Sequence, residues 1–373
     1  MRRPKVLRGP LGDDLAAALP GWIVARLAVS LGVMIAVVGA DKLRPAKRPM
    51  QLHQGLFAWD AAWYRDIAQH GYHGVAREGL RFFPLVPLLA RALAVPLVGR
   101  VGPALIVLVN IAALAAGALL HRLVRFETGE RALATRSAWL LALLPAAVVL
   151  VMGYAEAVAL VLVLGAFLAL RRQRWWAAAA LGVLAGLCRP TGVLLTVPAL
   201  IEALRGWPAA RDRAGRIAAV LGAPVGTAVF LGWVQWQYGD WQLPLRLQNS
   251  AALRGGLESP FTAVWGSVQA LVSEGRIGDG AHVPWIGLFA VLLIVVFARL
   301  PVSYGAFAAV VMAVALSAHN LGSFERYGLN AFPFVIGLAV VTSDPRVERA
   351  VLTACGAALT GFTALIFLGA FVP

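Results

Sequence analysis

Between residues 57 and 72 the chain reads Phe-Ala-Trp-Asp-Ala-Ala-Trp-Tyr-Arg-Asp-Ile-Ala-Gln-His-Gly-Tyr, an acid set among aromatic rings. As a helix, this stretch puts Trp59, Trp63 and Ile67 on one face with Asp60 next to it. A carboxylate held there can take the proton of a substrate hydroxyl, while ring faces such as those of Trp59, Trp63 and Tyr64 pack against sugars or isoprenoid chains. The plainer alternative is an amphipathic interfacial helix whose rings anchor it and whose Asp60 is an N-cap or an ion-pair partner. His53, His70 and His319 either flank such a site or are hydrogen-bonded structural groups. Cys188 and Cys355 sit in or beside apolar runs and support neither a disulfide framework nor a zinc site.

Two arginines also carry potential chemistry. Arg189 and Arg326 fall at the ends of apolar segments, where an unpaired guanidinium is costly and where its planar fork suits a phosphate. The competing reading is a side chain reaching for the interface and pairing with Glu325 or Glu156. Pro190 and Gly192 break the helix after Arg189 and can free backbone N–H groups there. Glu156 is expected where a span turns, as a positioning or pairing group or simply a helix start.

The elements that must position these groups follow from composition. The chain is 60% hydrophobic and 14% charged, and its apolar residues lie in runs long enough to cross a hydrocarbon core of ~30 Å as helices. The expected fold is all-α, a polytopic transmembrane helical bundle of about eleven spans, with ten to twelve as the range, in one domain over 1–373. The net charge of +15 is spread over short loops rather than a basic arm, which argues against nucleic acid. Arg2, Arg3, Lys5 and Arg8 precede a first span over 20–40, too long for the ~7–15 residues of a signal-peptide core and so read as uncleaved. Arg26 within it is expected to snorkel to the basic interface. Scattered glycines such as Gly32 and Gly39 read as helix-packing positions.

Charge decides the topology. If Phe82–Val98, with Pro84, Pro87, Pro96 and Arg91, does not cross, 18 of the 33 Lys and Arg residues fall in short loops on the N-terminal side, as expected for a cytoplasmic face. The long loop 41–102, with an interfacial helix over 82–98, then lies outside. Central spans follow over 103–236, a second outer loop over 237–283, in which Arg246, Arg254 and Arg276 lie, and C-terminal spans over 284–371. The chain is expected in the plasma membrane, and in this topology five of the six histidines fall on the outer side, His121 being the exception.

Several motifs run through this frame: Trp59-Asp60-x-x-Trp63-Tyr64, Ile67-Ala68-x-x-Gly71-Tyr72, Arg81-Phe82-Phe83-Pro84, Pro145 through Tyr154-Ala155-Glu156, the basic–aromatic turn Arg171–Trp176, Cys188-Arg189-Pro190-Thr191-Gly192, and Arg326-Tyr327 followed by Phe332-Pro333. In order and spacing they resemble the GPI mannosyltransferase II-like family of C-type (GT-C) glycosyltransferases, over roughly 55–205 and 320–340. The resemblance implies an inverting membrane glycosyltransferase that moves mannose, or another single sugar, from a polyprenyl-phosphate donor to a hydroxyl outside. Asp60 matches the family's acidic first-loop base. Trp59, Trp63, Tyr64, His70, Arg81, Tyr154, Glu156, Arg189, Glu325 and Arg326 are the expected substrate-binding set, with Arg189 and Arg326 on the lipid phosphate. A tight Asp-x-Asp pair is lacking, since Asp66 is six residues on, so divalent-metal dependence stays open and no metal ligands are assigned. The Ala, Arg and Leu bias suggests a bacterial source, so the acceptor is expected to be another lipid-linked or protein hydroxyl rather than a GPI precursor. A lipid or glycolipid transporter or flippase and a non-catalytic membrane subunit are the alternatives; no internal repeat of the transporter kind is visible.

Overall fold

A computed structural model describes residues 11–43, 48–209, 211–250, 253–272 and 282–372. The N-terminal basic residues and Arg276 lie outside the described residues. Among the described residues everything regular is helical apart from one isolated β-bridge, Leu257 to Ala318. Among the described residues, four helices are long and apolar enough to cross a membrane: α1 (Leu11–Leu43), α5 (Val101–Thr128), α10 (Arg213–Tyr238) and α17 (Pro345–Phe367). Between the first two lie the short helices α2 (Met50–Gln54), α3 (Asp60–His70) and α4 (Leu85–Ala94). At 10 residues, about 15 Å, α4 is too short to cross and packs beside α3 and α5.

The other apolar runs are shorter than uniform spans, and proline explains where they stop. The run over 137–153 is helical only to the end of α6 (Arg131–Leu143), because Pro145 opens a 3₁₀ stretch to Leu150. After α7 (Glu156–Arg171) and α8 (Trp175–Cys188), Pro190 opens another before α9 (Thr196–Leu204). The second loop carries α11 (Leu243–Gln248) and α12 (Pro260–Val272), followed by α13 (Val283–Arg299) and α14 (Val302–Leu316). Pro333 likewise starts a new helix, so that α15 (Phe324–Asn330) and α16 (Pro333–Val341) are separate. Among the described residues the observed architecture is therefore four long apolar helices plus several shorter or broken ones.

Two features lock the bundle. Gly182 and Gly186 of α8 meet Gly222 and Gly226 of α10, with backbone so close that a Cβ at Gly186 would strike the Ala223 carbonyl and one at Gly226 the Val183 carbonyl. This is the small-xxx-small contact by which helices pack closely in lipid. Gly32 is likewise closed in by Thr360 and Thr363, whereas a Cβ at Gly39 would meet none of the described atoms within 4 Å.

At one end of the bundle, arginines expected as topology signals are consumed in ion pairs. Asp14 takes His121 Nδ1 and Arg122 Nε, each at 2.6 Å. Arg171 joins Glu127 and Glu202 at 2.7 and 3.0 Å, Ser303 and Tyr304 of α14 cap those acids, and Arg136 meets Glu348 at 3.0 Å. Arg26 departs from expectation. Its guanidinium turns inward, donating to Asn110 Oδ1 and to the Leu150 carbonyl at 2.9 Å each, because those acceptors lie within reach inside the bundle. The opposite end of the helices holds Asp60, Glu156, Arg189 and Arg326.

Candidate functional site

The site is built where four chain breaks converge. Trp59 adopts φ 60°, ψ −131°, a conformation that costs a bulky residue ~1–3 kcal/mol and that persists only when its surroundings impose it. Its indole Nε1 donates to the Ile366 carbonyl of α17 at 3.4 Å, and the fully buried Ala58 and Ala61 let the turn pack closely. Asp60 is thereby the first residue of α3, and its backbone N–H donates to Tyr154 Oη at 3.3 Å.

Arg326 reaches Asp60 from α15, which starts after another non-glycine residue at positive φ, Ser323 (65°). Arg326 Nη1 donates to Asp60 Oδ2 at 2.8 Å, and its guanidinium lies over the Tyr154 ring, 5.5 Å from the centroid. The opposite edge, Nε, is 3.4 Å from Glu156 Oε1, an ion-pair contact rather than an aligned hydrogen bond. Glu156, the first residue of α7, is 1% exposed, and the same Oε1 pairs with Arg189 Nη1. Arg189 stands at the end of α8. There the chain folds back so tightly that a Cβ at Gly192 would strike the Ala185 carbonyl, which accounts for Gly192 after Pro190. Asp60, Arg326, Glu156 and Arg189 thus form one row of alternating charge. Its Glu156 end is buried, and its Asp60 end is open, the carboxylate side chain being 33% exposed.

Aromatic rings frame the open end. Trp63 stacks on Phe82 at 5.8 Å, and Tyr64 meets the same ring edge-on at 5.1 Å. Burial pushes the Tyr64 hydroxyl well above its ordinary pKa, with Arg189 opposing the shift, so it stays a neutral donor. Arg81 lies over Phe82 at 5.0 Å and donates to the Glu78 carbonyl and to Gln248 Oε1 at 3.1 and 3.4 Å. Burial lowers its pKa, and the charge of Asp60 raises it in part. Three guanidiniums therefore surround two carboxylates, which favours an anionic ligand.

Two of the expected residues are not brought to this row. His70 is exposed at the far end of α3, about 15 Å along the helix from Asp60. Glu325 turns away from Arg326 and takes His282 Nδ1 at 2.8 Å, with both side chains buried. Conversely, Gln248, Arg254 and Tyr327 adjoin the site without having been singled out as binding residues. Arg254 lies over the Tyr327 ring at 5.4 Å and donates to the Val314 carbonyl at 2.8 Å. Only placement on the same side of the membrane marked it in the sequence, because the second loop carries no motif. Among the described residues, no three His, Cys, Asp or Glu side chains cluster closely enough to hold a metal ion.

The helices and the one-ended charge row define an all-α, multi-pass integral membrane protein. Residues 46–204 match the family described as Mannosyltransferase (PIG-V), so the resemblance carried by the loop motifs stands over that stretch. The chain is 35% identical over 158 residues to the GPI alpha-1,6-mannosyltransferase 2 of Cricetulus griseus, which covers 40% of this chain and 31% of that one. The chain thus spans less than a third of that relative's length. Among solved structures, it is similar to the Archaeoglobus fulgidus oligosaccharyltransferase complex with Zn and sulfate, at a TM-score of 0.45 and 12% identity, covering 93% of this chain and 52% of the other. The archaeal oligosaccharyltransferase AglB from the same organism, in complex with an inhibitory peptide and a dolichol-phosphate, aligns with a TM-score of 0.44, 12% identity and coverage of 93% and 56%.

Proposed function

We propose that the protein is a membrane mannosyltransferase that moves one sugar from a polyprenyl-phosphate carrier to an acceptor hydroxyl, with inversion, at the extracytoplasmic face. In this topology the N terminus and the ion-paired end of the bundle face the cytoplasm. The single observation that carries the reading is the Asp60–Arg326 pair. It joins the one partly exposed acid of the row, which lies inside the segment that matches the mannosyltransferase family, to the guanidinium of Arg326, which lies beyond that segment.

The acceptor hydroxyl attacks the anomeric carbon as the bond from that carbon to the phosphate oxygen breaks, and Asp60 takes the hydroxyl proton. Arg326 and Arg81 face the open end and receive the charge that grows on the departing phosphate. Arg189 is assigned a different task from the one its sequence position suggests. Its charge is absorbed by the buried Glu156, so it fixes that acid rather than contacting phosphate. A narrow crevice of about 30 Å³ lies beside Arg189, with Thr191, Tyr327 and Asn330 at its polar side and Leu160, Val163 and Phe307 along its apolar side.

Asp60→Asn keeps the shape of the side chain and removes the base. The expected result is a protein that inserts and binds lipid but transfers ~100-fold more slowly or worse, measured in membranes supplied with polyprenyl-phosphate mannose. Transfer at the wild-type rate would refute the assignment.

A further inference from the structure

The two edges of the Arg326 guanidinium are held very differently. Nε faces Glu156, which is 1% exposed and itself pinned by Arg189, whereas Nη1 binds the 33% exposed Asp60. The Tyr154 ring supports the guanidinium plane. One edge is therefore a fixed anchor and the other is exchangeable. While Nη1 donates to Asp60 Oδ2, the carboxylate that is to receive a proton already accepts a hydrogen bond from a cation, which lowers its basicity.

Resting on the reading of Asp60 as the base, we infer that Arg326 masks this carboxylate until an anionic phosphate takes over its Nη1 edge, so that transfer is ordered with the donor bound first. A guanidinium fork binds phosphate oxygens at least as well as one carboxylate oxygen, and Glu156 keeps the arginine in place during the exchange. The donor is a phosphodiester with one negative charge, and the departing polyprenyl phosphate carries nearly two. The electron pair of the broken carbon–oxygen bond goes to that phosphate, so Arg326 is drawn further from Asp60 as the reaction proceeds. The acceptor proton ends on the Asp60 carboxylate and is released as the products leave. An acceptor arriving first meets a masked base, which limits its unproductive activation.

The inference has a sign that a purely structural ion pair lacks: Asp60 and the phosphate compete for one arginine. Binding of a polyprenyl phosphate to the full-length protein in detergent is measured by tryptophan fluorescence, with the uncharged polyprenol as control. Because a partly exposed ion pair is worth ~0.2–1 kcal/mol, Asp60→Asn is expected to tighten binding by up to about fivefold. Arg326→Gln is expected to weaken it about tenfold, and adding D60N to R326Q should then restore nothing. Asp66→Asn, which removes a nearby surface charge paired with Arg65, controls for general electrostatics and should leave affinity unchanged. Unchanged or weaker binding by D60N, or equal tightening by D66N, overturns the inference; D60N against D66N decides it even if R326Q does not fold. The base assignment fails separately, through transfer activity in D60N, so the two failures are distinguishable.

Discussion

Glu156 should be the most stability-sensitive residue of the charge row. Its carboxylate is 1% exposed and serves two guanidiniums whose side chains are only 12% and 13% exposed. Glu156→Gln preserves the shape but leaves Arg189 without a carboxylate partner and Arg326 with Asp60 alone. Removing one partner of a buried ion pair typically costs ~3–5 kcal/mol, because the remaining charge is stranded. The lower end applies here, since both arginines keep some contact with solvent and Asp60 still compensates one of them. A loss of about 3 kcal/mol corresponds to a fall in Tm of roughly 5 °C or more for a chain of this size.

The decisive measurement is a double-mutant cycle read by thermal unfolding in detergent. Arg189→Gln alone should cost less than E156Q, because Glu156 would still face Arg326. The double variant R189Q/E156Q removes a charge and its counter-charge together, and should return to within about 1 kcal/mol of the wild type, since replacing a whole buried pair is often neutral. If the double variant is as unstable as E156Q, then Glu156 acts through something other than these arginines, and the alternating charge row is not what organises the site.

Two further outcomes test the parts that position the row. Gly186→Ala should lower stability by ~1–3 kcal/mol and reduce transfer with it, because the new methyl group strikes the Ala223 carbonyl and displaces the helix that ends at Arg189; Gly232→Ala, with open space around it, should be silent in the same melts. Tyr154→Phe removes the acceptor of the Asp60 backbone N–H but leaves the ring under Arg326, so kcat should fall by about 2–10-fold, the worth of a hydrogen bond of ~0.5–1.5 kcal/mol, with donor KM unchanged; a loss beyond a hundredfold would place its hydroxyl in the chemistry itself.

What could be read from the chain and what could not divide along a physical line. The loop around Asp60 and the Arg189-Pro190-x-Gly192 step are local patterns, and the family match over 46–204 covers both. The prolines that shorten the apolar runs were equally visible, but hydropathy weighs composition, and Pro145, Pro190 and Pro333 interrupt helices without interrupting apolarity. The turn at Trp59 left no mark, since tryptophan is not a residue that announces positive φ. Arg26 was misplaced for a related reason: its distance from the helix end could be counted, but the acceptors that hold it, Asn110 and the Leu150 carbonyl, lie 84 and 124 residues away.

The partner of Arg326 shows the same limit and a way round part of it. Glu325 was a candidate because it is adjacent, yet successive helical residues point ~100° apart and do not face each other, so its turn toward His282 follows from helix geometry alone. Nothing local indicated Asp60, 266 residues earlier in the chain. In the sequence, catalytic base and ion-pair partner stood as rival readings of Asp60. Under the proposed exchange the two readings no longer exclude each other, because an arginine anchored on Glu156 would hold the carboxylate in one step and the phosphate in the next.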